Sequence, residues 1–196
     1  MREQAHEISS ASQVEGANVR RWSRDHVVLL AGCFGDGTFL VGPGKTQVAP
    51  GLYTTSVAPC GFCYWARLRS TSGTVDAIIT NGTVSRGPAF LLVARSDRAV
   101  ESDGCGVWVP ASAKSYNPTP TRMVDGEYRV NIDVWEGTYR APGGSGCYWT
   151  RRSSWDVSNI TTVIANHFGP GQQIVTIARS DVGFVTSDCG SWTKIG

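Results

Sequence analysis

Short runs that are β-branched, aromatic or alternate apolar with polar recur along the chain, each bounded by Gly, Pro, Asn or Ser-Asp. They predict strands over 38–41, 52–55, 63–68, 77–80 and 89–94, with short pieces near Val100 and over 107–109. A second series follows at 127–130, 138–140, 147–152, 162–165, 173–178, 183–186 and 191–194. The Asn81-Gly82 pair reads as a turn. No helical period runs through either series, which points to small sandwiches or barrels.

The two series are one pattern written twice. Gly61-Phe62-Cys63-Tyr64-Trp65 with Cys105-Gly106-Val107-Trp108 returns as Gly146-Cys147-Tyr148-Trp149 with Cys189-Gly190-Ser191-Trp192. Asp36-Gly37, Gly51-Leu52-Tyr53 and Ala94-Arg95-Ser96-Asp97 are answered by Asp125-Gly126, Gly137-Thr138-Tyr139 and Ala178-Arg179-Ser180-Asp181. A series of matches in one order at nearly one offset marks a tandem duplication. The fold class expected is all-β: two tandem small β-sandwich or barrel-like modules, each with one internal disulfide, plus an N-terminal arm. The expected boundaries are 1–35 for the arm and its strand, 36–109 for the first module, 110–124 for a Pro-containing linker and 125–196 for the second module.

The repeat also orders the cysteines. Cys63 to Cys105 and Cys147 to Cys189 both span 42 positions, so each pair is expected to bond within its module. Cys33 and Cys60 fall outside the pattern and are expected to bond each other, tying the N-terminal segment onto the first module. Three bridges imply an oxidising final environment. In each Cys-Tyr-Trp the Cys and Trp share one strand face, so Trp65 and Trp149 are expected to cover the bridges, with Trp108 and Trp192 nearby.

A net charge of +2 is too small to imply a nucleic-acid partner. No stretch approaches the roughly 20 apolar residues of a membrane span. Residues 1–24 are polar and end in a basic cluster, Arg20, Arg21 and Arg24 around Trp22. This segment reads as a solvated arm or, more sharply, as an arm that docks on a partner. Trp135 and Trp155 have no counterpart in the first module and are the candidate exposed contact residues. Val27 to Ala31 reads as a buried strand, while Leu30-Ala31-Gly32-Cys33 also spells a lipobox with Cys33 as the lipidated residue. The six apolar residues before Cys33 are short for a signal segment, which needs roughly 7–15.

Catalytic and metal signatures fail one by one. Gly42-Pro43-Gly44-Lys45-Thr46 ends like a phosphate-binding loop, but Phe39 stands where Gly is needed and Pro50 opposes a following helix. Cys60-Gly61-Phe62-Cys63 lacks both a helix to open and a second metal-binding pair. His6, His26 and His167 do not recur between modules, and spacing suggests no nucleophile beside them. The recurring Arg95-Ser96-Asp97 and Arg179-Ser180-Asp181 read as local turns with an ion pair. No enzyme activity, cofactor or metal is expected.

The motifs Asp-Gly-Thr-x-x-Val-Gly, Pro-Gly-x-Tyr, Cys-Tyr-Trp-x-Arg and Cys-Gly-x-Trp resemble a repeat of small secreted proteins and lipoproteins of actinobacteria and of proteins of their phages. The resemblance covers residues 36–109 and 125–194. It implies a non-enzymatic role in one of two settings. The first is a phage virion structural protein decorating the capsid exterior, or less centrally a minor tail protein, bound through its arm to the major capsid protein or another virion protein. The second is a secreted or lipid-anchored cell-surface binding module. Self-association and contact with a host surface or glycan fit both. A membrane enters only if Cys33 is lipidated.

Overall fold

Gly37 and Gly126 open the same strand in two successive modules, each at a positive φ that a side chain would strain. The computed structural model describes residues 32–58, 61–112 and 115–196. In the first module the strands are β1 (Gly37–Leu40), β2 (Gly51–Val57), β3 (Cys63–Leu68), β4 (Ile78–Val84), β5 (Gly87–Val93), β6 (Ala99–Asp103) and β7 (Val109–Pro110). In the second they are β8 (Arg122–Met123), β9 (Gly126–Arg129), β10 (Gly137–Ala141), β11 (Tyr148–Arg152), β12 (Val163–Phe168), β13 (Gln173–Ile177), β14 (Gly183–Ser187) and β15 (Trp192–Lys194). Each module folds two small sheets around one core. Their orders are β1-β6-β3-β4 with β5-β2-β7, and β9-β14-β11-β12 with β13-β10-β15-β8. The two topologies correspond strand for strand except at β8, whose place in the first module is taken by the single Phe34–Trp108 bridge.

The bridges Cys63–Cys105 and Cys147–Cys189 both form, in the heart of each core. Trp108 and Trp192 are fully buried beside them. A buried indole N–H needs an acceptor. Trp108 Nε1 donates to Ser102 Oγ at 2.9 Å and Trp192 Nε1 to Thr186 Oγ1 at 2.8 Å. Tyr53 and Tyr139 each reach back four residues, donating to Ala49 O at 2.8 Å and Trp135 O at 2.9 Å. Burial pushes the Tyr139 phenol up to about 12.

The Gly42–Thr46 segment is a turn, closed by the Val41–Val48 bridge and by Gln47, whose Oε1 accepts the Gly44 N–H at 2.9 Å. The second module closes the equivalent Val130–Val134 bridge with a shorter loop. Asn131 takes its left-handed position at φ 63°. Asn tolerates that region better than most residues.

Three expectations change. Asn81-Gly82 is not a turn but the middle of β4. Gly82 lies opposite Trp65, whose indole passes over it so closely that a Cβ would sit 2.7 Å from the ring. The linker is also shorter than 110–124: Pro110 belongs to β7, and Arg122–Met123 pairs with β15. Met123 is buried opposite Trp192, just as Phe34 is buried opposite Trp108, so each module begins before its Asp-Gly. The expected strand over 27–31 and the arm over 1–24 lie outside the described residues.

Candidate functional site

The Arg of Cys-Tyr-Trp-x-Arg and the Asp of Arg-Ser-Asp meet in both modules. Arg67 grips Asp97 through Nε and Nη2 at 2.8 and 3.0 Å, and Arg151 grips Asp181 at 2.6 and 3.0 Å. Each Asp also accepts the N–H of the residue three before it, Ala94 or Ala178. The partner is thus 30 residues away rather than the adjacent Arg95 or Arg179. These recurring charges hold strand ends together.

The modules differ at their mutual interface. Among the described residues β5 is the outer strand of its sheet, so its outward N–H groups lack a ladder partner there. Pro88 has no N–H to offer. The next outward one, Phe90 N–H, donates to Glu127 Oε2 of β9 at 2.6 Å. Gly126 lets β9 approach: a Cβ there would lie 2.6 Å from Pro88. Phe90 itself is only 3% exposed. Trp155 covers it with ring centroids 4.7 Å apart, Tyr116 meets it edge-on at 6.3 Å, and the Arg129 guanidinium lies 5.1 Å over its ring. Arg129 is held by Asp133 at 2.7 Å, and Asp133 also accepts the Tyr116 N–H from the linker. Arg67 crosses the same boundary, with Nη1 2.6 Å from Asp156.

Two depressions flank this contact. One, of about 150 Å³, has Phe62, Arg86, Asp125, Glu127 and Val185 in its wall. Arg86 pairs with Asp125 at 2.9 Å, while Asp125 Oδ1 is buried without a partner among the described residues. Burial pushes the Glu127 carboxyl up, against the pull of Arg152 and the Phe90 N–H. The other, of about 430 Å³, has a mostly apolar wall with Leu52, Val130, Ile132, Trp155 and Val182. Among the described residues no group of three or more His, Cys, Asp or Glu could hold a metal ion.

The expected site residues fall into three groups. Cys63, Cys105, Cys147 and Cys189 are bonded as the repeat implies. Cys33 is partly buried and bonds no other cysteine among the described residues; its expected partner Cys60 lies outside them, as do Arg20, Arg21, Trp22 and Arg24. Trp135 is exposed, at 52%. Trp155 is not: at 8% exposure it is spent on Phe90 and on Gly183, whose missing side chain makes room for the indole. The residues that sequence reasoning missed are Phe90, Glu127 and Arg129. The signal they carried was a break in the repeat, with Ile174, Thr38 and Leu40 in the corresponding places.

The model of the Rv1352-like extracellular domain matches residues 31–109 and again 120–193. The chain belongs to this family. It carries two copies of the Rv1352-like domain, and the second match begins early enough to include β8. No curated protein and no solved structure matches the chain. The family is described as extracellular, in keeping with one buried disulfide per copy. That supports the exported setting over the virion exterior.

Proposed function

We propose that this protein is a non-enzymatic binding module that works outside the cytoplasm, secreted or held at the cell envelope. The observation that carries this reading is the double match to an extracellular domain whose two copies each enclose a disulfide. The disposition of the reactive groups supports a binding role. The recurring Arg and Asp side chains are committed to pairs within the fold. His167 lies stacked 6.2 Å from Trp149. The surface offers recognition features instead: exposed Trp135 and Phe168, and the two depressions where the modules meet. A host-surface or glycan ligand suits exposed aromatic rings of this kind.

Fractionation of the producing cells tests the proposal, combined with intact-mass measurement of the recovered protein. Recovery in the medium or with the envelope supports it, and a start at a lipid-modified Cys33 would specify the anchored form. Recovery in the cytosol with all cysteines reduced would overturn it.

A further inference from the structure

The contact inside the chain is head to tail: the β5 edge of the first module meets the β9 face of the second. Each module has both faces, so among the described residues one of each stays unused. The unused edge is β13, the counterpart of β5, and the unused face is β1, the counterpart of β9. Register fixes the equivalences. Val93 pairs with Gly51 as Ile177 pairs with Gly137, so Ile174 stands where Phe90 does. Gly37 pairs with Ser102 as Gly126 pairs with Thr186, so Leu40 stands where Arg129 does and Thr38 where Glu127 does.

These unused faces are open and matched. Ile174 is 57% exposed and Leu40 37% exposed, both apolar residues on edge strands. Inside the chain the corresponding pair, Arg129 over Phe90, is a polar–aromatic contact. Between copies it would be aliphatic on aliphatic, which gains from leaving water on both sides. The backbone is equally bare. Gly126 abuts Pro88 and Gly87 abuts the Asp125 carbonyl, whereas a Cβ on Gly171 would meet nothing within 4 Å and one on Gly37 only the ring of Phe39. β13 carries no charged residue and no Pro, the usual devices that blunt an edge. Arg151 fits the same scheme. Its counterpart Arg67 binds Asp156 of the following module, while Arg151 has no such neighbour among the described residues and its side chain is 20% exposed against 4% for Arg67.

We infer that the chain self-associates head to tail, with the β13 edge of one copy docking on the β1 face of a second copy in the manner of its own β5–β9 contact. A heterologous contact of this kind leaves one edge and one face free at the ends, so growth does not stop at two.

Sedimentation velocity of the full chain over a concentration series tests this. The expected result is a weight-average mass that climbs past the dimer as concentration rises. Ile174→Asp and Leu40→Asp should each weaken association by on the order of tenfold or more. Both positions are exposed, so thermal midpoints should not change, which separates lost contact from lost fold. A one-to-one mixture of the two variants retains one good edge and one good face, and should give a heterodimer and nothing larger. A chain that stays monomeric at its highest soluble concentration overturns the inference. So does association that either substitution leaves intact, or a mixture that fails to pair.

Discussion

The Arg67 guanidinium donates to Asp97 in its own module at 2.8 Å and to Asp156 of the other module at 2.6 Å. One side chain therefore closes a strand end and fastens the two repeats together. The Arg67 side chain is 4% exposed and that of Asp97 fully buried, so neither charge can turn to water if its partner is lost.

Asp97→Ala should therefore destabilise the protein by about 3–5 kcal/mol, the range for breaking a buried pair. Asp181→Ala should cost less, because Arg151 can still reach solvent. Denaturant unfolding of the two variants checks both the size and the order of these effects.

Replacing Cys63 and Cys105 by Ser, or Cys147 and Cys189 by Ser, should cost about 2–5 kcal/mol in each case. The bridges close loops of equal sequence separation in equivalent cores. The two double variants should therefore behave alike in thermal denaturation, and a reductant should remove the difference between either variant and the parent.

Phe90→Ala should cost about 3–5 kcal/mol, because it empties a site bounded by Trp155, Tyr116 and Arg129. The loss falls on the boundary between modules rather than on either core. Calorimetry should show the single transition of the parent separating into two.

Glu127 gives a pH dependence with a definite sign. Its folded carboxyl is raised above the ordinary 4.5 by burial, so the folded state holds the proton more tightly than the unfolded chain does. Stability from this group must fall as pH rises from the unfolded value through the folded one, then level off. Gln at this position keeps an acceptor for the Phe90 N–H and does not titrate. The stability of the parent minus that of Glu127→Gln should decline over that window. A difference that grows with pH there contradicts the assignment.

The fold was largely legible in the sequence because the chain states it twice. Equal spacing of Cys63–Cys105 and Cys147–Cys189 settled the bridges, and the strand pattern needed only boundary changes. Asn81-Gly82 misled because turn propensity is local, whereas Gly82 is demanded by the Trp65 indole on the neighbouring strand. The module interface was hidden for the opposite reason. Phe90, Glu127 and Arg129 sit where the repeat is broken, and a search for agreement between copies passes over them. Trp155 is unmatched in the first module, which suggests exposure; its lack of a counterpart instead reflects a contact that the second module makes with the first.

β9 closes the β5 edge through Glu127 and makes one body of two repeats. Amide hydrogen exchange at Phe90 measures it directly, with Ile174, the same edge position in the second module, as the internal reference. In dilute solution the Phe90 amide should exchange far more slowly than that of Ile174, and Glu127→Ala should bring the two rates together. Equal rates in the parent protein would mean that the edge is open and the modules are not docked as described.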